Sequence, residues 1–162
     1  MCIEADNTWQ EKNKHAGMEG MKAARSMALI SYRNYETYDV TQHEDNLNKI
    51  EDFKSESYQK YQGEKLAKRF NAFSYYFLSK GMDAHNVGRD RGSIKNALSA
   101  INSKALAIGI TTDILFPVNE QKLIGKYIPH GQFVEIHSHY GHDGFLLEFD
   151  QITKIINDFL AK

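Results

Sequence analysis

This chain lacks several features that would place it in a class at once. Its single cysteine, Cys2, cannot form an internal disulfide, and nothing nearby would lower the thiol's pKa and make it a nucleophile. No apolar run approaches the roughly 20 residues of a bilayer span. The opening Met1-Cys2-Ile3-Glu4-Ala5-Asp6 has no basic-then-apolar layout of a signal peptide, so a cytoplasmic protein without a membrane partner is expected. The net charge of −1 gives no reason to expect a nucleic-acid partner. The most telling absence is chemical. No Gly-x-Ser-x-Gly precedes Asp113 in these 162 residues, although the residues that follow look like the rest of a serine-based site.

What is present is ordinary for a globular fold: 41% hydrophobic and 25% charged residues. Residues 1–17 carry no clear periodicity. Met18, Met21, Ala24, Met27, Ala28 and Ile30 recur at helical spacing and predict a helix over 18–34. Residues 34–57 are polar, with scattered apolar anchors, and read as loop with short helical pieces. Two more helices follow over 58–69 and 71–82, the second with the aromatic run Phe73, Tyr75, Tyr76 and Phe77, which reads as core or interface. Gly88-Arg89-Asp90-Arg91-Gly92 is a basic loop whose arginines could hold an anion or form surface ion pairs. Ser93 is placed to cap a helix over 93–104.

After Lys104 the pattern changes. Ala105-Leu106-Ala107-Ile108-Gly109-Ile110 is continuously apolar, as a strand covered on both faces of a parallel sheet would be. Pro117 closes the turn, 118–127 reads as a helix, 132–136 as a second strand, and 145–160 as a closing helix. Two strands joined by a helical crossover form a parallel pair, but two strands alone leave edges and apolar faces uncovered, so more of the sheet is expected from elsewhere. The fold class expected is α/β: residues 1–17 entering a helical region, 18–104 forming it, and 105–162 a strand-helix-strand-helix piece of a larger core.

Asp113 follows the first strand and His142 the second, which brings an acid and a base to one edge of one sheet, where open α/β folds build their sites. An acid that orients a histidine accepts from one ring nitrogen and leaves the other for the nucleophile. Each residue alone has a plain structural alternative, Asp113 as a cap and His142 as a loop histidine; together they favour a site. His137, His139 and His142 allow a rival reading, since an H-x-H-x-x-H run after a strand has the pattern of zinc hydrolases, but Gly141 stands where that pattern carries an aspartate. No metal is therefore assigned. Arg25 and Tyr32 lie two turns apart on the predicted first helix, on one face, where the arginine could hold a carboxylate.

Taken in order, Ala24-Arg25, Ile30-Ser31-Tyr32-Arg33, Tyr61-Gln62-Gly63, Lys68-Arg69-Phe70, Val87-Gly88-Arg89-Asp90-Arg91-Gly92, Thr112-Asp113-Ile114-Leu115-Phe116-Pro117 and Tyr140-Gly141-His142-Asp143-Gly144-Phe145-Leu146 make the chain resemble the C-terminal half of the homoserine O-acetyltransferase family. That family consists of acyltransferases of methionine biosynthesis with the α/β-hydrolase fold. The resemblance implies transfer of an acetyl group from acetyl-CoA, a substrate rather than a resident cofactor, to L-homoserine through an acyl-serine. His142 would be the general base and acid, Asp113 its orienting partner, and Asp143 the group that binds the substrate ammonium. Arg25 would hold the substrate carboxylate, with Tyr32 lining the pocket. The resemblance also implies a helical lid over 18–104, a homodimer formed through it, and a nucleophilic serine in an N-terminal half outside this chain, so that the chain alone would be inactive. Asp90, Asn71 and His139 depart from the family's usual glycine, aspartate and proline. Serine or homoserine O-succinyl transfer in the same family, and a non-catalytic interaction module, are the alternative functions.

Overall fold

A computed structural model describes residues 1–161. The chain packs as two compact units, one of Met1–Ile30 with Tyr38–His85 and the other of Ser31–Thr37 with residues 86–162.

The first unit is helical: α1 (Met18–Ile30), most of α2 (Tyr35–Gln42), α3 (Lys54–Ala67) and α4 (Ala72–Asp83). Its core is Ile3, Met21, Leu66 and Ala72, with Trp9, Met18, Tyr75 and Tyr76 packed around them. Met21 is completely buried. The aromatic run is only partly core: Phe73 stacks on Trp9 at 4.5 Å between ring centroids and Tyr76 meets Trp9 at 5.1 Å, while Phe77 is 65% exposed. Helix ends leave backbone amides without intrahelical partners. At α1 the Thr8 hydroxyl accepts from Gly17 N–H and the Asp6 carboxylate from Gly20 N–H, which ties the first turn to the preceding loop. Asn71 caps α4 by accepting from Ser74 N–H. Lys22 on α1 reaches Glu19 at 2.7 Å and Glu64 on α3 at 2.6 Å, linking the two helices.

The second unit holds α5 (Ile94–Ser99), β1 (Ala105–Ile110), α6 (Val118–Tyr127), β2 (Gly131–Ile136) and α7 (Phe149–Leu160). The Ser93 hydroxyl accepts from Asn96 N–H, as its capping position predicts. β1 and β2 pair in parallel from Ala105 opposite Gly131 to Ile110 opposite Ile136, with α6 packed on both. Among the described residues these two strands are the whole sheet. Only Gly109 and Ile110 of β1, and Ile136 of β2, are buried. The first strand, read from sequence as covered on both faces, is thus half-covered here, and β2 likewise. Phe149 and Leu160 of α7 remain 67% and 73% exposed.

Four boundaries differ from expectation. The helix capped by Ser93 ends at Ser99 rather than at Lys104, where Ile101 N–H donates to Leu98 C=O and closes it in a tighter turn. The first helix stops at Ile30 rather than at residue 34, because Asn34 turns its side chain to accept from Thr37 N–H and starts α2. α3 begins at Lys54, inside the stretch read as loop. The closing helix is broken: residues 141–146 form a 3-10 turn, and α7 begins only at Phe149, with Ile152 N–H donating to Glu148 C=O.

Candidate active site

The parallel register brings the ends of β1 and β2 level, and the ladder continues past them, with Thr111 N–H donating to Ile136 C=O. Asp113 and His142 emerge from that edge and meet. His142 Nδ1 lies 2.9 Å from Asp113 Oδ2, with the side chains only 17% and 7% exposed. The other carboxylate oxygen, Oδ1, accepts from Leu115 N–H at 2.8 Å and Phe116 N–H at 2.9 Å. The turn after β1 thereby fixes the plane of the carboxylate and aims Oδ2 at the imidazole. A carboxylate can only accept, so Nδ1 carries the proton in this contact and Nε2 keeps a lone pair. In a neutral ring that tautomer can accept a proton at Nε2.

Apolar rings surround the imidazole. Phe116 and Phe145 lie 5.1 Å from it and Tyr32 5.5 Å, centroid to centroid. A cavity of about 170 Å³ opens beside the pair, lined by Ile108, Gly109, Asp113, Phe116, His142 and Phe145. Rings that limit water around a base strengthen its interactions with reacting groups.

Tyr32 reaches His142, but not by the route the sequence suggests. α1 ends at Ile30, so Tyr32 lies in the turn beyond it, and the argument that Arg25 and Tyr32 share one helical face fails. The Tyr32 carbonyl instead accepts from Asp143 N–H at 3.1 Å, which fastens segment 31–37 to the histidine loop. Arg25 lies on α1 in the helical unit. Gly141 makes the close approach of these segments workable: its φ is +61°, and a Cβ there would stand 2.9 Å from Asn34 N. Gly144 is constrained by space alone, since a Cβ would come within 2.7 Å of Ser138 Oγ.

Asp143 has a partner the sequence does not announce, Arg33, whose Nε donates to Oδ2 at 3.2 Å. Both are about three-quarters buried. Arg33 stands in the motif Ile30-Ser31-Tyr32-Arg33, but no local pattern pairs it with a residue so far along the chain. Thr112 and Ser138 likewise carry no local signal, since their partners lie in distant segments. The three histidines do not converge on one point: His137 Nδ1 faces Thr111 Oγ1 at 3.0 Å, His139 Nδ1 faces Glu36 at 3.1 Å, and His142 is held by Asp113. Among the described residues no group of three or more His, Cys, Asp or Glu is gathered to hold a metal.

Asp113 beyond one parallel strand is oriented by backbone amides onto His142 beyond the next, at the edge where open α/β folds build their sites, and solved structures show that the fold is that of the α/β-hydrolases. A homoserine O-acetyltransferase from Bacillus anthracis superposes with a TM-score of 0.88 at 18% identity, covering 99% of this chain and 46% of that one. An acetylester hydrolase from Corynebacterium glutamicum superposes at 0.79 and 18% identity, covering 99% and 47%. No family model matches the sequence. Within that class, the chain is related to the homoserine O-acetyltransferases. It is 48% identical over 98% of its length to a protein of that name from Cyclobacterium marinum, of which it spans 45%. The chain thus spans about half the length of the curated relatives it matches. Among the described residues no helix is long and apolar enough to cross a membrane.

Proposed function

We propose that this chain supplies the acid–base pair and part of the amino-acid pocket of an acetyltransferase acting on L-homoserine, in methionine biosynthesis in the cytoplasm. The contact between His142 Nδ1 and Asp113 Oδ2, with Oδ1 pinned by two amides, carries the reading. In this reading a serine outside these 162 residues attacks the thioester carbonyl of acetyl-CoA while Nε2 of His142 takes its proton. The CoA thiol leaves with that proton, and the serine is acetylated. The hydroxyl of homoserine then attacks the acyl-serine; His142 takes the hydroxyl proton and returns it to the departing serine. Asp113 holds the imidazolium formed in each half-reaction. Asp143, held by Arg33, receives the substrate ammonium, Tyr32 lines the pocket, and Arg25, by the family resemblance, holds the carboxylate. Acetyl-CoA enters as substrate, and no resident cofactor or metal takes part. The partners are the half of the enzyme bearing the serine and a second copy joined through the helical region.

The half-covered strands and the exposed Phe149 and Leu160 support a partner that adds to the sheet. Co-expression of the chain with the unmatched portion of the Cyclobacterium marinum relative tests this. O-acetylhomoserine should form from acetyl-CoA and L-homoserine only when both pieces are present. Substituting succinyl-CoA or L-serine in the same assay separates the related transferase, and a defined oligomer without turnover would identify a non-catalytic module instead.

A further inference from the structure

The acid and the base sit on two different loops, and something must hold those loops in register. We infer that Thr112 is a positioning residue that clamps the Asp113 loop to the His142 loop. Its hydroxyl donates to Ser138 C=O at 2.6 Å and accepts from Gly141 N–H at 3.2 Å. Thr112 immediately precedes Asp113, and Gly141 immediately precedes His142. One side chain thus ties together the backbone next to each member of the pair. A hydroxyl has one proton to give and two lone pairs, so it makes both bonds without competition.

The Ser138 side of the clamp is itself fixed. Ser138 is only 1% exposed, and its hydroxyl accepts from Tyr140 N–H at 3.1 Å, folding the loop toward Gly141. Ser138 Oγ also occupies the space that a Cβ at Gly144 would need. The loop after β2 is therefore packed around Ser138 and latched by Thr112. Misplacement of a reacting group by about 1 Å is enough to cost catalysis heavily, so a latch at this point sets the function of the pair rather than only its surroundings.

The inference rests on the acid–base pair of the proposed function, and its test separates the two. In the full chain, the His142 ring N–H facing Asp113 should give a downfield proton resonance, assigned by its loss in His142→Gln. Asp113→Ala should abolish it. Thr112→Val keeps the branched shape without the hydroxyl. It should broaden or lose the resonance and raise amide exchange at Gly141 at least roughly tenfold, while Thr112→Ser restores both. If Thr112→Val unfolds, Thr112→Ala carries the same comparison. A resonance lost in Asp113→Ala but unchanged in Thr112→Val overturns the clamp alone, as does failure of Thr112→Ser to restore it. A resonance missing from the wild-type chain, or surviving Asp113→Ala, overturns the pair and with it the proposed function.

Discussion

The two units use buried space in opposite ways. The helical unit gathers apolar side chains into one cluster around Met21 and places its charges at the rim, where Lys22 spans Glu19 and Glu64. The sheet unit buries Ile110, Ile128 and Ile136 but also Ser138, Gly141 and Gly144, and leaves much of α7 exposed. Its best-protected positions maintain geometry at the strand ends instead of excluding water from hydrocarbon. A unit that holds a site this way is stabilised less by its own packing and depends more on what covers it.

Substitutions can break or sharpen that contrast. The largest effect belongs to the sheet unit's chemistry: with the complementing half present, Asp113→Asn should lower kcat on the order of 10⁴-fold by disturbing the imidazole tautomer, measured in a steady-state acetyl-transfer assay. Next comes the helical core. Met21→Ala should cost about 2–5 kcal/mol in urea unfolding of the chain, whereas Phe149→Ala on α7 should stay within about 0.5 kcal/mol. Equal losses at the two positions would erase the distinction between the units.

A smaller effect is expected at Arg33. Arg33→Met removes the charge that orients Asp143, so KM for the amino acid should rise about tenfold with kcat within about twofold; a loss confined to kcat would place Arg33 elsewhere in the mechanism. The smallest is a pH effect in the helical unit. The hydrogen bond from the Thr8 hydroxyl, and then those from the Gly20 and Thr8 amides, hold the Asp6 carboxyl below its ordinary value of 3.8. A lowered carboxylate pKa stabilises the fold above the ordinary value, and the contribution is lost as pH falls through the lowered one. Asp6→Asn should therefore unfold with less pH dependence than wild type in the acid range, by circular dichroism melts, and the two should differ most at neutral pH.

The legible parts of the fold are those whose signals are local. The unbroken apolar run gave β1, Pro117 set the start of α6, and Ser93 marked its helix. The meeting of Asp113 and His142 was readable because each follows a strand. The end of α1 was not, because Ser31, Tyr32 and Arg33 carry no helix breaker, and the turn there is held by Asp143 N–H on the Tyr32 carbonyl. The gap between the 3-10 turn and α7 was hidden because apolar residues from Phe145 to Phe159 keep helical spacing through it. Arg33 and Thr112 acquire their roles only from contacts between distant segments, which no window of sequence displays.

The central claim, that this chain brings the base to a serine held elsewhere, is tested most directly by complementation. Wild-type chain and His142→Ala should each be co-expressed with the unmatched portion of the Cyclobacterium marinum relative, and O-acetylhomoserine measured. The account predicts product with the wild-type chain and a loss on the order of 10⁴-fold with His142→Ala. Turnover that survives His142→Ala, or turnover by the 162-residue chain alone, would contradict it.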